Sequence, residues 1–158
     1  MKLHRDLREF VDLLNSQGVE YVIVGGHAVA FHGHPRFTGD IDFLLAATPE
    51  NAARVVRCLA LFGFGDLGIT DADLLAPGQV VQLGRPPNRI DLLTSISGVD
   101  FAEAWGTRVA STLDGLPVAY LGRAALLANK RAAGRAKDAA DIEAIERIAA
   151  GALRRPPG

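Results

Sequence analysis

The sequence has very little cysteine, few aromatic residues and almost no net charge. Its 158 residues include a single cysteine, Cys58, which excludes a disulfide bond within the chain. Aromatic residues make up 6%, and 17 basic against 18 acidic residues give a formal charge of −1. This balance argues against a uniformly basic nucleic-acid-binding surface and against a highly charged disordered chain. We expect Cys58, which lies in an apolar stretch, to be a small buried core residue.

The sequence also lacks a long apolar run. Its longest runs, such as those at 43–47 and 124–128, have about five residues, whereas a helix that spans a bilayer needs roughly 18 or more. The first residues are charged and lead into an amphipathic stretch, so they lack the apolar core of a secretory signal. We therefore expect no membrane partner and a cytoplasmic location.

Charge is distributed unevenly along the chain. Residues 1–120 carry 9 basic and 14 acidic side chains, whereas residues 121–158 carry 8 basic and 4 acidic ones. An acidic segment with a basic segment folded against it suits a metal ion and an anion bound side by side, such as a magnesium nucleotide. A solvated helix face is the alternative explanation.

Apolar periodicity and turn residues predict helices and strands that alternate along the chain. Helices are predicted at 3–14, 27–32, 48–62, 101–105 and, in two segments separated near Gly134, between 124 and 148, with one or two helical turns at 70–75. Strands are predicted at 21–24, 38–45, 80–83 and 89–94 and on both sides of a turn at Asp114-Gly115. This order predicts an α/β or α+β fold with a mixed, mostly antiparallel sheet flanked by helices.

The predicted elements belong to one domain over residues 1–158. No linker divides the chain, and no repeat is present. We expect a core over about residues 20–120, a short C-terminal helical segment over about 122–150 and a flexible tail over 151–158.

Asp40 and Asp42 stand two residues apart in a predicted strand. Alternate strand residues project from one face, so both carboxylates face the same way, with Cα atoms about 6 to 7 Å apart. Such a pair can converge on divalent ions held roughly 3.5 to 4 Å apart, as in phosphoryl transfer. Oxygen-only ligands favour magnesium or manganese over zinc. The alternative is a solvated polar strand face, where two like charges at 4 Å cost only about 1 kcal/mol.

Asp91 is a third acid, and it interrupts an otherwise apolar strand. An aspartate in such a setting is costly unless it is paired, solvated or bound to a cation. If its strand neighbours that of Asp40 and Asp42, the three acids meet. The alternative is an ion pair with Arg89, two residues away on the same face.

Gly25-Gly26 lies where a strand ends and a helix begins. Backbone N–H groups at such a junction can approach a triphosphate without interference from a Cβ atom. The segment matches neither a Walker loop nor the dinucleotide-binding glycine fingerprint, and a glycine pair at a strand end is also an ordinary turn. Thirteen residues separate Gly26 from Asp40, enough for a short helix and a loop that return the chain to an adjacent strand.

These motifs together resemble the nucleotidyltransferase superfamily, which has the DNA polymerase beta-like catalytic core. The matching residues are, in order, Val24-Gly25-Gly26, Asp40-Ile41-Asp42-Phe43 and Asp91. Within this pattern, residues 32–33 and 36–42 look like small bacterial members grouped with abortive-infection and toxin–antitoxin systems. The segment from Leu126 to Asp141 is similar to the C-terminal helical motif of those members. The resemblance covers residues 20 to about 147.

The resemblance implies a metal-dependent nucleotidyltransferase. A nucleoside triphosphate (NTP) would be held with its triphosphate over Gly25-Gly26, and Mg²⁺ or Mn²⁺ would bind Asp40 and Asp42. Asp91 would complete the metal site or act as the base for the acceptor. A nucleoside monophosphate would pass to a hydroxyl group of tRNA or other RNA, of a partner protein or of a small molecule. The protein could act as a homo-oligomer or with a cognate toxin or antitoxin partner.

Four further residues are candidates for binding the nucleotide: Arg36, Thr38, Lys130 and Lys137. The two lysines would neutralise phosphate charge, although a solvated helix surface is the alternative for both. Asp138 and Asp141, one helical step apart, would either orient these cations or form surface pairs.

Other chemistries receive less support from the sequence. The spacing of His27, His32 and His34 matches no common zinc site. His32 is a weaker candidate for a substrate contact, and Trp105 is expected to fill the core. None of the serines has the glycine-flanked setting of a hydrolase nucleophile. The alternative function is a binding module that keeps the fold without turnover and acts as an antitoxin-like partner, although the presence of all three acids argues against lost activity.

Overall fold

The structure is a computed structural model that describes residues 3–35 and 39–154. Helices and strands alternate along this part of the chain. The helices are α1 (Arg5–Ser16), α2 (Gly25–Phe31), α3 (Pro49–Leu61), α4 (Phe101–Gly106), α5 (Arg123–Ala133) and α6 (Ala136–Arg154). The strands are β1 (Tyr21–Val24), β2 (Asp40–Leu45), β3 (Val80–Leu83), β4 (Arg89–Leu93), β5 (Val109–Leu113) and β6 (Leu116–Tyr120). Two short 3-10 turns, Gly65–Leu67 and Asp71–Leu74, lie between α3 and β3.

Within the described residues, six strands form one mixed sheet. Their order is β3-β4-β2-β1-β6-β5. The pairs β1–β2, β3–β4 and β5–β6 are antiparallel, whereas β1–β6 and β2–β4 are parallel. The sheet, its flanking helices and the C-terminal helix give an α+β architecture, which confirms the predicted mixed, mostly antiparallel sheet.

The predicted boundaries agree with the structure to within about two residues, except at the C-terminal end of α6. α2 begins at Gly25, two residues before the predicted start, because the chain turns directly out of β1. α6 continues to Arg154 rather than ending near residue 148. Its added residues are mainly alanine, leucine and arginine, which are strong helix formers, so a single glycine at 151 does not end the helix.

Core residues fill the side of the sheet opposite to Asp40 and Asp42. Ile41 and Phe43 are fully buried on that side. The ring of Phe10 in α1 lies 6.1 Å from that of Phe43 and 5.3 Å from that of Phe62, which directly follows α3. α1 and α3 therefore cover this face. Cys58 in α3 is also fully buried, as expected, and burial raises the pKa of its thiol to about 11.

Asn51 fastens the start of β1 to the end of β2. Its Oδ1 accepts a 2.7 Å hydrogen bond from the backbone N–H of Glu20. Its Nδ2 donates to the carbonyl oxygens of Glu20 at 3.1 Å and Ala46 at 2.9 Å. The residue lies in the first turn of α3, where the Thr48 side chain caps the helix by accepting from the Asn51 N–H at 3.3 Å. Asn51 thus holds together the strand that leads into the glycine pair, β1, and the strand that carries the first two acids, β2.

The described part of the chain contains no helix that combines the length and the apolar character needed to cross a bilayer.

Asn51→Ala tests this fastening. The substitution removes three hydrogen bonds and leaves the buried carbonyl of Ala46 without that donor, so we expect the free energy of unfolding to fall by about 2 to 3 kcal/mol. Urea denaturation followed by circular dichroism measures the change. Arg57→Ala, at an exposed position of the same helix, is the matched control and should change stability by less than about 0.5 kcal/mol. Equal effects of the two substitutions would contradict this role of Asn51.

Candidate functional site

The register between β2 and β4 gathers four charged side chains on one face of the sheet. These strands run parallel, with Asp40 opposite Arg89 and Asp42 opposite Asp91. Because alternate residues of a strand project from the same face, the four side chains lie on the side away from α1 and α3. The long-range strand pairing, rather than a local motif, therefore builds the cluster.

The structure brings together the three acids that the sequence singles out. One carboxylate oxygen from each of Asp40, Asp42 and Asp91 lies within 4.8 Å of the corresponding oxygen of the other two. Asp91 is buried, with 6% of its surface exposed, and the other two acids are half-buried. A search of the described residues for three or more metal-binding side chains that lie close together finds these three acids. A donor set made only of carboxylate oxygens suits Mg²⁺ or Mn²⁺.

Gly25 provides the space in which the carboxylate of Asp42 lies. Its φ angle is +67°, a conformation that L-residues with a side chain rarely adopt. A Cβ atom at this position would also overlap Oδ2 of Asp42. Strand pairing causes this close approach, because the preceding residue, Val24, is the register partner of Asp42. A glycine is therefore required at position 25 by both its backbone angle and its neighbour, whereas Gly26 is buried in the first turn of α2.

Among the described residues, Arg89 is the cation that contacts the cluster. Its Nε donates to Oδ1 of Asp91 at 2.9 Å, and its Nη2 donates to Oδ2 of Asp91 at 3.1 Å and to Oδ2 of Asp40 at 3.3 Å. The ion pair between Asp91 and Arg89, which the sequence offered as an alternative to metal binding, is therefore present in the structure. The same guanidinium also reaches Asp40, so one positive charge serves two of the three acids.

The cluster separates the proton affinities of its carboxyl groups. Burial, together with the neighbouring carboxyl groups of Asp40 and Asp91, raises the pKa of Asp42 to about 8. Burial also raises the pKa of Asp91, although the hydrogen bonds from Arg89 oppose the change. Burial acts against ionisation of Asp40 too, but hydrogen bonds to Asp42 and Asp91 and the charge of Arg89 outweigh it and lower the pKa of Asp40. Asp42 thus retains a proton near neutral pH unless another cation neutralises the cluster.

The acids form one wall of a cavity of about 700 Å³. This volume lies within the range of roughly 300 to 1,000 Å³ typical of small-molecule sites. The sheet side is lined by Val24, Gly25, Gly26, Gly39, Asp40, Asp42, Arg89, Asp91 and Leu93. The other side is lined by Ile96, Ser97, Asn129, Lys130, Ala133, Arg135 and Lys137. The cavity therefore has an acidic wall built on strands and a wall with three basic residues built mainly on α5 and the start of α6.

Lys130 lies in this second wall, but it is not a solvated side chain. Only 2% of its surface is exposed, and its Nζ lies 3.2 Å from Oδ1 of Asp138 and 3.1 Å from Oδ2 of Asp141. The alternative of a solvated helix surface is thus wrong for Lys130. Both aspartates are buried as well, so the alternative that they form surface pairs is also wrong. They fix Lys130 in place and already balance its charge.

Arg135 is a cavity residue that the sequence reasoning missed as a candidate. Its Nε donates to Oδ2 of Asp138 at 2.7 Å and its Nη2 donates to Oδ1 at 3.1 Å, while more than half of the side chain stays exposed. Burial opposes ionisation of Asp138, but the hydrogen bonds from Arg135 and Lys130 lower its pKa to about 2. Lys137 is exposed at the same wall. The cavity thus presents the cationic groups of Arg135 and Lys137 to solvent.

Two of the predicted nucleotide-binding residues, Arg36 and Thr38, lie outside the described residues. Asn129 and Ser97, which the sequence reasoning did not select, line the cavity and are joined by a 2.9 Å hydrogen bond from Asn129 Nδ2 to the Ser97 carbonyl. Neither residue stands in a recognisable motif, so no sequence signal identified them.

The histidines and Trp105 lie away from the cavity lining. His27 is buried, and burial lowers its pKa. His32 Nε2 lies 2.7 Å from the Leu121 carbonyl oxygen, and His34 Nε2 lies 3.8 Å from Asp141 Oδ1. Trp105 packs against the edge of the core, as expected, with Arg108 over its ring. His32, His34 and Trp105 therefore each have a local structural contact, and His27 is a buried residue.

No model of a known protein family matches this chain, and no curated protein sequence matches it. The resemblance to nucleotidyltransferases accordingly stays a prediction that depends on the motif residues themselves. What the structure adds is the arrangement of those residues around one cavity.

Asp42→Asn tests the electrostatics of the cluster. A carboxyl group with a raised pKa binds its proton in the folded protein at pH values where the unfolded chain has lost it, so it destabilises the fold as the pH rises from about 4 to 8. In a chelator, we expect the stability advantage of Asp42→Asn over the wild type to be larger at pH 8.5 than at pH 5.5, by about 2 to 3 kcal/mol. Urea denaturation at both pH values measures this difference.

His27 is present in both proteins, so its titration cancels from the comparison. A difference in stability that is the same at pH 5.5 and pH 8.5 would contradict the raised pKa. Asp66→Asn, at an exposed position of a 3-10 turn, is the matched control and should show no pH-dependent difference from the wild type.

Lys130→Met tests the buried ion network. The methionine preserves most of the volume but removes the buried positive charge that pairs with both Asp138 and Asp141, and removing one partner of a buried pair costs about 3 to 5 kcal/mol. Adding Asp141→Asn to this variant should restore part of the stability, because one buried negative charge disappears. Urea denaturation of the two variants and the wild type measures these changes in the free energy of unfolding. A single variant as stable as the wild type would show that the network is dispensable.

Proposed function

We propose that this protein is a metal-dependent nucleotidyltransferase. It transfers a nucleoside monophosphate from an NTP to a hydroxyl group of an acceptor. The observation that carries the proposal is the convergence of Asp40, Asp42 and Asp91 within 4.8 Å beside the side-chain-free surface of Gly25, in a cavity with a cationic opposite wall. The resemblance of the same residues to the nucleotidyltransferase superfamily supports it independently of the geometry.

The residues of the acidic wall fit a divalent cation. Three carboxylates held close together repel one another, and burial together with these neighbouring carboxyl groups raises the pKa of Asp42. Gly25 leaves the carboxylate of Asp42 accessible at the cavity surface. Asp40 and Asp42 would hold the ion, with Asp91 at the third corner. When bound, Mg²⁺ or Mn²⁺ would neutralise charge on the phosphates and on the attacking and leaving oxygens.

The opposite wall would hold the triphosphate. Arg135 and Lys137 present cationic groups, and the main chain at Gly25-Gly26 lines the cavity without bulky side chains. In the reaction, the acceptor oxygen forms a bond to the α-phosphorus while the bond from that phosphorus to the bridging oxygen breaks and pyrophosphate leaves. Asp91 would orient the site or accept the hydroxyl proton.

The acceptor remains one of three chemical classes: tRNA or another RNA, a partner protein, or a small hydroxylated molecule. A role in a toxin–antitoxin or phage-defence system is part of the proposal, as is completion of the acceptor site by a partner or a second copy of the chain. The second candidate function is a catalytically silent binding module. The ion pairs of Arg89 with Asp40 and Asp91 favour it, because they give these acids a structural role.

Thermal denaturation with nucleotides separates the two functions. We expect Mg²⁺ with ATP, GTP, CTP or UTP to stabilise the wild type, by about 2.7 kcal/mol when the nucleotide concentration is about 100 times its Kd. The stabilisation should require the metal and should disappear in Asp40→Asn and Asp42→Asn, while Asp66→Asn keeps it. No response to any nucleotide would favour the binding module.

A transfer assay tests catalysis directly. Each NTP, labelled on the α-phosphate, is incubated with the protein, Mg²⁺ and, in turn, total tRNA, candidate partner proteins and hydroxylated small molecules. We expect label to reach one acceptor class, and Asp42→Asn to reduce the rate by about 100-fold or more, because charge stabilisation is the main catalytic contribution. Label transfer that is equal in Asp42→Asn and the wild type would refute the assignment of these acids.

A further inference from the structure

Arg89 occupies the position from which a cation can reach two of the three acids. It binds both oxygens of Asp91 through two different nitrogens, at 2.9 and 3.1 Å. Its contact with Asp40 is a single hydrogen bond of 3.3 Å, the longest of the three. The pairing of Arg89 with Asp91 is therefore bidentate and the stronger one, whereas its hold on Asp40 is the weaker one.

This arrangement follows from the strand register. Arg89 and Asp91 are two apart on β4, so their side chains share a face, and Arg89 is the cross-strand neighbour of Asp40. The guanidinium and a divalent ion bound to the acids would consequently compete for the same carboxylate oxygens. In the structure, Oδ2 of Asp40 accepts a hydrogen bond from Arg89.

We propose that Arg89 is an internal counter-ion that competes with the divalent cation for Asp40. The proposal rests on the metal site of the proposed function and adds its regulation. Arg89 keeps its two bonds to Asp91 and yields Asp40 to the ion, so the divalent ion alone binds weakly. The triphosphate adds oxygen ligands of its own, and the metal then enters together with the nucleotide rather than before it.

The side chain of Arg89 acts as a positioning group in this scheme. Its bonds to Asp91 hold that carboxylate at the third corner of the cluster both before and after the divalent ion binds. Loss of the guanidinium is therefore expected to have two effects. The acids repel one another more strongly, and they attract a divalent ion more strongly.

Binding of Mn²⁺ alone, in the absence of nucleotide, tests the proposal. Electron paramagnetic resonance of free Mn²⁺ gives the Kd for the full chain and its variants. We expect Arg89→Gln to bind Mn²⁺ about tenfold more tightly than the wild type, because a competing positive charge next to the ligands is removed. Arg57→Gln, at an exposed position of α3 outside the cavity lining, is the matched control and should bind like the wild type.

Thermal denaturation supplies a second readout. In a chelator, Arg89→Gln should melt below the wild type, and saturating Mn²⁺ should raise its melting temperature by more than it raises that of the wild type. If Arg89→Gln does not fold, Arg89→Lys replaces it. A lysine keeps the charge but cannot form the same bidentate pair, and we expect it to tighten Mn²⁺ binding by about threefold.

The outcomes separate this inference from the proposed function. Equal or weaker Mn²⁺ binding by folded Arg89→Gln, or by Arg89→Lys in its place, would overturn the competition. The metal site itself would still be supported if the wild type binds Mn²⁺ and Asp42→Asn does not. Failure of both the wild type and the Arg89 variant to bind Mn²⁺ would remove the metal site and the competition together.

Discussion

Repulsion between carboxylates that cannot move apart is the constraint on which the site depends. Asp40, Asp42 and Asp91 belong to two strands in the interior of the sheet, and the parallel ladder between those strands fixes the spacing of the three acids. Because the core on the other face is closely packed, the strands cannot separate to relieve the repulsion. The protein accommodates it through Arg89 and through the raised proton affinity of Asp42. A cluster that costs stability is expected where its charge serves binding or chemistry.

The two walls of the cavity differ in the sign and the pairing of their charges. On the sheet side, negative charge exceeds positive charge, so the wall attracts cations. On the helical side, Lys130 and the two buried aspartates form an ion network that Arg135 joins through Asp138, and the exposed cations of this wall are Arg135 and Lys137. The buried network thus holds the α5–α6 connection in shape, whereas the exposed side chains lie where anionic groups can approach them.

Much of the fold and the acids of the site could be predicted from the sequence because both depend on short-range patterns. A period of two places Asp40 and Asp42 on one face, and a lone acid in an apolar strand draws attention to Asp91. The contact between Arg89 and Asp40 could not be predicted, because it requires the register of two strands 49 residues apart. The burial of Lys130 could not be predicted for a similar reason, since its partners lie in the next helix, beyond the break at Gly134. Local periodicity cannot show how one helix folds back on the next.

The close approach of Gly25 to Asp42 also decides where the molecule can deform. Val24 and Asp42 are partners in a backbone ladder, so widening the gap beside the glycine would break sheet hydrogen bonds in the protein interior. The helices α5 and α6 pack into the core through side chains rather than through a backbone ladder, so a shift of these helices would break no sheet hydrogen bond. Under the proposed function, adjustment to acceptors of different size would therefore fall to the helical side, while the sheet side keeps a fixed geometry.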